Sequence, residues 1–260
     1  MVRIVRAVTR ISVIIPVYND AELLSVCLDA LARQTRIADE LIVVDNGSTD
    51  ASARVARSFG ARVVVEPRRG IPAATSAGFD AADGEILARL DADCVPAPDW
   101  LERLESSLES HPDVSAVTGS AEFYGGSAFT RWFGRSCYLA SYFWSMELLL
   151  GHPPLFGSNF AIRADAWRMV RERTHRGRAD LHDDLDLSFQ FRPGMTVHFD
   201  PDLTIAVSAR PFDNWAGFAR RVSWGFGTVT VNVLDESPRK RRAARRKVVT
   251  AVRRRSARTA

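Results

Sequence analysis

Two aspartates, Asp91 and Asp93, follow a short apolar run and are separated by one small residue. The run, residues 86–90, is typical of a buried strand, so the pair lies where a strand ends and a turn begins. Carboxylates at such an end can share one hard cation, because Mg²⁺ and Mn²⁺ prefer oxygen ligands and are often held by only one or two carboxylates. Aspartates at this spacing also occur in ordinary acidic turns, and the triplet alone does not decide between the two.

Two earlier apolar runs also end in polar residues. One leads into Pro16, Tyr18 and Asn19, and the other leads into Asp45. Because ligands of an open parallel sheet bind outside the carboxyl ends of its strands, these ends describe one pocket. We interpret it as a site for a nucleotide and a divalent metal. Two simpler interpretations stay open, since Asp45 could merely start an Asx-turn and Tyr18 could merely pack against its neighbours.

The elements that must position these residues alternate between strands and helices. Strands are predicted at residues 11–16, 40–45, 61–66, 86–90 and 114–118, and helices at residues 21–34, 50–59, 71–82 and 98–110. Such alternation implies parallel pairing through right-handed crossovers. Arg69 follows the third strand, where its guanidinium could meet a phosphate or lie solvated on the surface.

The pattern loosens after the fifth strand. Residues 123–160 are rich in aromatics and predict a helical segment that lies over the sheet. Its aromatic side chains either pack in the core or line a groove for the acceptor. Within this segment, residues 138–150 favour a core helix over a helix lying on a membrane surface. Farther along, Asp183 and Asp184 precede a predicted helix at residues 185–191. Taken alone, they are typical of an acid-enriched helix N-terminus.

Composition places the chain in a broad class. With 260 residues and 46% apolar content, it can bury a sizeable core in one large domain or two small ones. Cys27, Cys94 and Cys137 are odd in number and far apart, which indicates reduced thiols in a cytosolic compartment. Residues 1–10 interleave arginines with valines and do not resemble a signal peptide. No run reaches the roughly 18 apolar residues that a membrane span requires.

The positive charge is concentrated at one end. Residues 237–260 contain eleven Lys and Arg and no acid, which leaves 24 basic against 31 acidic residues in the rest of the chain. A block of like charges repels itself and predicts a disordered tail. The tail is either solvated or attracted to anionic lipid, at up to about 1 kcal/mol per basic residue. Nucleic acid is disfavoured as a partner, because the tail has no aromatic residue for stacking.

Five blocks of sequence, in order, resemble the family-2 glycosyltransferases with the GT-A fold. They are residues 12–19, 42–50, 91–93, 157–160 and 183–188. The last block has Asp183 where the family usually has Glu. The resemblance runs from about residue 11 to about residue 227.

This resemblance implies a single α/β domain with a GT-A (Rossmann-like), mostly parallel sheet flanked by helices. The domain would span residues 1–236, with a nucleotide-binding half at about 11–120 and an acceptor half at about 121–236. The basic tail would follow at residues 237–260.

The resemblance also implies roles for residues at matched positions. Pro16, Tyr18, Asn19, Glu22, Asp45 and Asp91 would bind the nucleotide, and Arg69 is added to this set from its position after the third strand and not from the resemblance. Asp93, with Asp91, would hold Mn²⁺ or Mg²⁺ on the diphosphate. Asp184 would be the general base, with Asp183 beside it, and Gly157, Ser158 and Asn159 would face the donor sugar and the acceptor.

The implied function is transfer of a sugar from a UDP- or GDP-linked donor to an acceptor hydroxyl, with inversion. The family's processive polymer makers carry a Gln-x-x-Arg-Trp block, which residues 218–224 lack, so transfer of one sugar per encounter is favoured. We expect a lipid-linked or glycan acceptor, in cell-envelope or glycan biosynthesis. The expected location is the cytoplasm, with the basic tail on the inner face of the cytoplasmic membrane.

Two other classes of function remain open. A sugar nucleotidyltransferase would share the sheet and the metal, but it would usually show a Gly-rich, Arg-containing loop after the first strand, unlike residues 16–20. A non-catalytic nucleotide-binding module tethered to a membrane would keep the fold. The presence of both Asp93 and Asp184 argues against such a module.

Overall fold

The computed structural model describes residues 9–210 and 215–259, without the side chains of Arg135, Ala216 and residues 249–259. The strands in this part of the chain are β1 Ile11–Val17, β2 Glu40–Asp45, β3 Arg62–Val65, β4 Ile86–Arg89, β5 Cys94–Pro96, β6 Ala116–Tyr124, β7 Phe160–Arg163 and β8 Val197–Ser208. The helices are α1 Ala21–Ala32, α2 Ser52–Ser58, α3 Ile71–Ala81, α4 Trp100–Ser110, α5 Ala128–Phe133, α6 Ala140–Leu150, α7 Ala164–Val170, α8 Asp183–Gln190, α9 Trp215–Asp235 and α10 Pro238–Thr259. A π-helical turn, Gly134–Leu139, joins α5 to α6.

All eight of these strands form one sheet in the order β3-β2-β1-β4-β7-β6-β8-β5. The first four are parallel, as the alternation of strands and helices predicts. β7 then pairs antiparallel with β4 and with β6, while β8 is parallel to β6 and antiparallel to β5. The predicted α/β class is therefore confirmed, with a sheet that is parallel from β3 to β4 and mixed beyond β4.

The core lies on both faces of the sheet. Alternate residues of β1 explain this, because Val13 and Ile15 pack with α1 and α4 while Ile14 packs with α3 and α7 on the opposite face. Gly78 allows α3 to approach closely, since a Cβ at this position would lie 2.4 Å from a methyl carbon of Ile14. Because helices pack on both faces of the sheet, the strands are held in place and the positions of their ends are fixed.

The prediction of a core helix at residues 138–150 holds for only part of the segment, in which Leu139 and Leu150 are buried. The segment is helical, but Trp144 is 72% exposed and Leu148 is 53% exposed. These two residues lie one helical turn apart, on a face of α6 that is exposed to solvent. Aromatic and aliphatic side chains in solvent and in the core look alike in a sequence, and only packing separates them.

The prediction of a disordered tail is also corrected, because Pro238–Thr259 is a helix. Arg241 and Arg245 lie one turn apart and are buried. Arg241 donates to the Phe189 carbonyl at 2.5 Å, and Arg245 donates to the Met195 and Phe191 carbonyls at 2.7 and 3.1 Å. Guanidinium groups at the carbonyl end of a helix are favourable partners, so α10 docks at the C-terminal end of α8.

Membrane-spanning helices were not expected from the sequence. Across the described ranges, none of the helices combines the length and the apolar character that crossing a bilayer requires.

Candidate active site

The carboxyl ends of β1, β2 and β4 meet at one edge of the sheet. The parallel register pairs Val17 with Asp45 and Ile14 with Arg89, so the residues after these strands emerge side by side. The predicted convergence of the three strand ends is therefore confirmed.

The loop after β1 is tied to the loop after β2. Asn19 has a positive φ of 48°, a conformation that asparagine tolerates better than most residues. Its side-chain oxygen accepts from the Thr49 backbone N–H at 2.7 Å, and its own N–H donates to the Ser48 hydroxyl at 3.1 Å. Asp45 accepts from the Ser48 N–H at 2.8 Å, so it makes the turn that the simpler interpretation predicts. Its nucleotide contact stays a prediction.

Tyr18, in the loop after β1, is in contact with Arg69, in the loop after β3. The guanidinium carbon of Arg69 lies 3.3 Å from the ring centroid of Tyr18, and Arg69 also donates to the Asn46 carbonyl. Tyr18 is half exposed. Pro16 lies within β1, and Glu22 is exposed in the first turn of α1. Their predicted contacts with a nucleotide stay predictions.

Asp91, Asp93 and Cys94 place one potential metal-ligand atom each within 4.8 Å of the others. Burial, together with the two nearby carboxylates, raises the pKa of the Cys94 thiol, and a thiol is a softer donor than Mg²⁺ or Mn²⁺ prefers. The two carboxylates are hard oxygen donors. This donor set fits Mn²⁺ or Mg²⁺, as the sequence predicts.

The two aspartates of this pair differ electrostatically. Burial alone would raise the pKa of Asp91, but Arg89 at 2.8 Å and the Ser158 hydroxyl at 2.5 Å hold it below its usual value. Burial and the charge of Asp91 raise the pKa of Asp93, and Arg210 opposes the shift from 3.1 Å. Asp91 is thus the more firmly ionised carboxylate.

Arg89 is the centre of the site, although it was not among the predicted site residues. It is 1% exposed, and its guanidinium lies 2.8 Å from Asp91 and 3.2 Å from Asp183. It also donates to the Gly157 carbonyl. One signal was available in the sequence, because a charged residue interrupts an apolar run that must be buried on both faces.

The acidic pair Asp183-Asp184 starts α8, as predicted. Asp183 accepts from the Thr75 hydroxyl at 2.6 Å. The two oxygens of Asp184 accept from the Gly157 and Leu185 N–H groups at 2.6 and 2.7 Å. Burial and the charge of Asp183 raise the pKa of Asp184, which makes this carboxylate a better proton acceptor than an ordinary aspartate.

The segment before β7 closes the space between these two groups of acids. A Cβ on Gly157 would lie 2.8 Å from Arg89 and 3.0 Å from the Asp184 carboxylate, so a glycine is required here. Ser158 donates to Asp91. Asn159 does not fit the predicted contact with a sugar: its side chain is enclosed, accepts from the Trp100 indole and donates to two backbone carbonyls.

Two further arginines bring positive charge to the acidic cluster. Arg210 follows β8 and pairs with Asp93. The charge of Arg221, on α9, adds to Arg89 and Ser158 in lowering the pKa of Asp91, and it opposes the increase that burial and Asp91 cause in the pKa of Asp93. α9 is held against the start of α8, because the His182 ring is 2.8 Å from the Arg221 carbonyl. Arg210 and Arg221 lie outside the five blocks that carry the resemblance, so the sequence analysis did not include them among the site residues.

Comparison with known proteins agrees with this architecture. A model of the family described as "Glycosyl transferase family 2" matches residues 12–175. Glycosyltransferase AglE of Haloferax volcanii is 41% identical over 133 residues, which cover 47% of this chain and 43% of that protein. The undecaprenyl-phosphate 4-deoxy-4-formamido-L-arabinose transferase of Pseudomonas fluorescens is 33% identical over 132 residues, covering 47% and 38%. The matches thus span less than half of these two relatives.

Solved structures confirm the predicted fold. A mannosyltransferase from Pyrobaculum calidifontis, in complex with GDP-Man and Mn²⁺, has a TM-score of 0.61 at 22% identity and covers 95% of this chain and 75% of its own. Glucosyl-3-phosphoglycerate synthase from Mycobacterium tuberculosis, in complex with Mn²⁺, UDP and phosphoglyceric acid, has a TM-score of 0.58 at 22% identity, covering 86% and 78%.

Replacing Arg89 with methionine is expected to destabilise the protein by about 3–5 kcal/mol, because Asp91 and Asp183 would lose the cation that they share in a buried position. The measurement is the free energy of unfolding in urea at neutral pH. Arg33→Met is the matched control, since Arg33 pairs with Asp29 on the exposed face of α1 and should cost less than about 1 kcal/mol. Equal losses in the two variants would contradict the role assigned to Arg89.

Proposed function

The chain belongs to glycosyl transferase family 2, and from this premise we propose that it transfers a single sugar from a nucleotide-diphosphate sugar to an acceptor hydroxyl, with inversion at the anomeric carbon. The observation that carries the proposal is the bridge through Arg89, whose guanidinium pairs with Asp91 at the end of β4 and with Asp183 at the start of α8. This bridge joins a metal-binding type of cluster to Asp183, the neighbour of the carboxylate suited to accept a proton.

The donor is proposed to be UDP- or GDP-linked. Support comes from two proteins of the same fold, one in complex with GDP-Man and one with UDP. The Tyr18 ring, stacked with Arg69 and half exposed, is suited to contact a base, and Asp45 is suited to accept from a ribose hydroxyl. Pro16, Asn19, Glu22 and Asp91 complete the proposed nucleotide site.

Asp93 and Asp91 are proposed to hold Mn²⁺ or Mg²⁺. When bound, the cation supplies positive charge beside the diphosphate as that group departs. The chain's own contribution is to keep Asp91 anionic through Arg89 and Ser158. The carboxylates of Asp91 and Asp93 also lie close enough together for one cation to contact both of them.

Asp184 is proposed to take the proton from the acceptor hydroxyl. Its two oxygens are oriented by the N–H groups of Gly157 and Leu185, which fixes the direction of its lone pairs. Asp183 is held beside it by Thr75 and Arg89, and burial together with the charge of Asp183 raises the pKa of Asp184. One base and one displacement give an inverted product without a covalent intermediate.

A lipid-linked or glycan acceptor is proposed, for cell-envelope or glycan synthesis. A relative from Pseudomonas fluorescens is named as an undecaprenyl-phosphate transferase. In the acceptor half, Phe129, Trp132 and Phe133 are exposed, and the ring of Phe129 lies 6.0 and 6.2 Å from the other two. Interfacial aromatics of this kind suit a lipid-bearing substrate.

A cytoplasmic location, with peripheral attachment to the inner face of the membrane, is proposed from α10. Its buried arginines serve packing, and its exposed basic residues, among them Arg239, Lys240 and Lys247, are available to anionic lipid.

Asp184→Asn is expected to lower transfer by about 10²-fold or more, because the amide cannot accept the proton, while Mn²⁺-dependent binding of UDP or GDP stays intact. Asp93→Ala is expected to weaken that binding itself. Calorimetry measures the binding, and release of nucleoside diphosphate measures the transfer; release of pyrophosphate instead would indicate a nucleotidyltransferase. Asp29→Asn, at an exposed position of α1, is the control. Comparable loss of binding in both site variants would refute this division of roles.

The sugar in the product is expected to have the anomeric configuration opposite to that in the donor. A single displacement assisted by one carboxylate requires attack from the face opposite the diphosphate. The one-bond coupling between C1 and H1 in the NMR spectrum of the product, compared with that of the donor, reports the configuration. Retention would rule out the single-displacement mechanism.

Reversing the charge of Arg239, Lys240 and Lys247 to glutamate is expected to reduce sedimentation with vesicles that contain anionic lipid, since each basic residue contributes up to about 1 kcal/mol of attraction. The three residues are substituted and the segment is not deleted, because a deletion would also remove Arg241 and Arg245, which hold α10 against α8. Reversal of Arg33, Arg54 and Arg57, which are exposed on α1 and α2, is the control for net charge. Equal sedimentation of both variants would exclude α10 as the attachment surface.

A further inference from the structure

Arg210 links two acidic residues that come from different strand ends. It lies two residues after β8, and its guanidinium contacts Asp20 at 2.6 and 3.2 Å and Asp93 at 3.1 Å. Asp20 immediately follows Asn19 in the loop after β1, and Asp93 follows β4. Arg210 therefore extends from the proposed nucleotide loop to the proposed metal ligand.

This contact sets Arg210 in competition with a cation. The Asp93 oxygen that accepts from Arg210 is Oδ2, one of the two oxygens that the carboxylate can offer a metal. A divalent ion and a guanidinium at the same carboxylate repel each other, so binding of one weakens binding of the other. Arg210 is only half buried, and exposed ion pairs of this kind are weak enough to be exchanged.

The second contact keeps Arg210 near the site when Asp93 is engaged elsewhere. Asp20 binds the guanidinium through both of its oxygens, a geometry that fixes orientation as well as position. The backbone beside Arg210 is also anchored, because the Ala209 N–H donates to the Tyr124 carbonyl at 2.9 Å, and the Tyr124 hydroxyl donates to the Asp93 carbonyl at 2.8 Å.

We propose that Arg210 exchanges partners: it leaves Asp93 when a divalent cation binds there, and it then donates to the diphosphate of the donor nucleotide. The inference rests on the proposed function and adds a residue to it. A planar guanidinium with several donors matches phosphate oxygens, and its charge partly balances two phosphates. Arg210 thus opposes binding of the cation alone and favours binding of cation and nucleoside diphosphate together.

Opposite effects on two affinities test this exchange. Arg210→Gln is expected to bind Mn²⁺ alone about fivefold more tightly, because the competing charge is removed. The same variant at saturating Mn²⁺ is expected to bind UDP or GDP about tenfold or more weakly, because a charge-assisted contact is lost. Calorimetry measures both affinities. The corresponding nucleosides should bind wild type and variant equally, since they have no diphosphate.

The matched control is Arg103→Gln. Arg103 is also partly exposed and also lies between two carboxylates, but these belong to Asp99 and Asp202 and neither contact involves Asp93. It should leave both affinities unchanged.

A second variant keeps the test decisive if Arg210→Gln folds poorly. In Asp20→Asn, Arg210 retains only Asp93 as an ionic partner among the contacts described here, so Mn²⁺ alone should bind more weakly than in wild type, opposite to Arg210→Gln. Nucleoside diphosphate should also bind more weakly, because the guanidinium loses its second anchor.

Three results would overturn the inference. They are unchanged or weaker Mn²⁺ binding by folded Arg210→Gln, unchanged UDP and GDP binding by the same variant, and an equal loss for nucleosides and nucleoside diphosphates. Failure of the proposed function gives a different pattern, in which the wild-type protein binds neither UDP nor GDP with Mn²⁺ although Arg210→Gln still alters the affinity for Mn²⁺ alone.

Discussion

One buried guanidinium balances the charges on which the whole site depends. Arg89 is itself enclosed, at a position where an unpaired charge is strongly unfavourable, and it pairs with Asp91 and Asp183. Because it also donates to the Gly157 carbonyl, the end of β4, the segment before β7 and the start of α8 must take fixed relative positions. The fold brings these three elements together, and the ionic contact sets the distance between them.

The same arrangement separates acidic residues into different chemical states. Asp91 faces Arg89 and Ser158, and its pKa lies below the usual value in spite of burial. Asp184 lies beside Asp183 in a buried position, and its pKa is raised. Two carboxylates with environments that shift their pKa in opposite directions are suited to different tasks, one as a permanent anion and one as a proton acceptor. Asp91 and Asp184 are the same residue type, so the difference between their pKa values comes from their surroundings alone.

The sequence predicts what depends on local pattern and strand order. Apolar runs and the residues that end them were sufficient to place Asp45, Asp91 and Asp93 at one edge of the sheet. It could not predict partners that are distant along the chain. Arg89 pairs with Asp183, which is 94 positions away along the chain. The eleven basic residues after position 236 predict disorder from sequence alone, because the carbonyls at the C-terminal end of α8 that accept from two of them are distant in the chain. Burial of Asn159 likewise depends on β6 and β8, which contribute the carbonyls that it contacts.

α8 is held at both ends, and this connects the two proposed surfaces of the protein. Its first turn is fixed by Arg89 through Asp183, and its last carbonyls are bound by arginines of α10. Asp186, in the middle, accepts from His175 and Asn232 and ties the helix to α9. The proposed base Asp184 therefore lies on a helix whose two ends and middle are each held by a different part of the chain. Arg241 and Arg245 of α10 hold the end of α8 that lies opposite Asp184, so the basic helix is part of the support of the helix that carries this carboxylate.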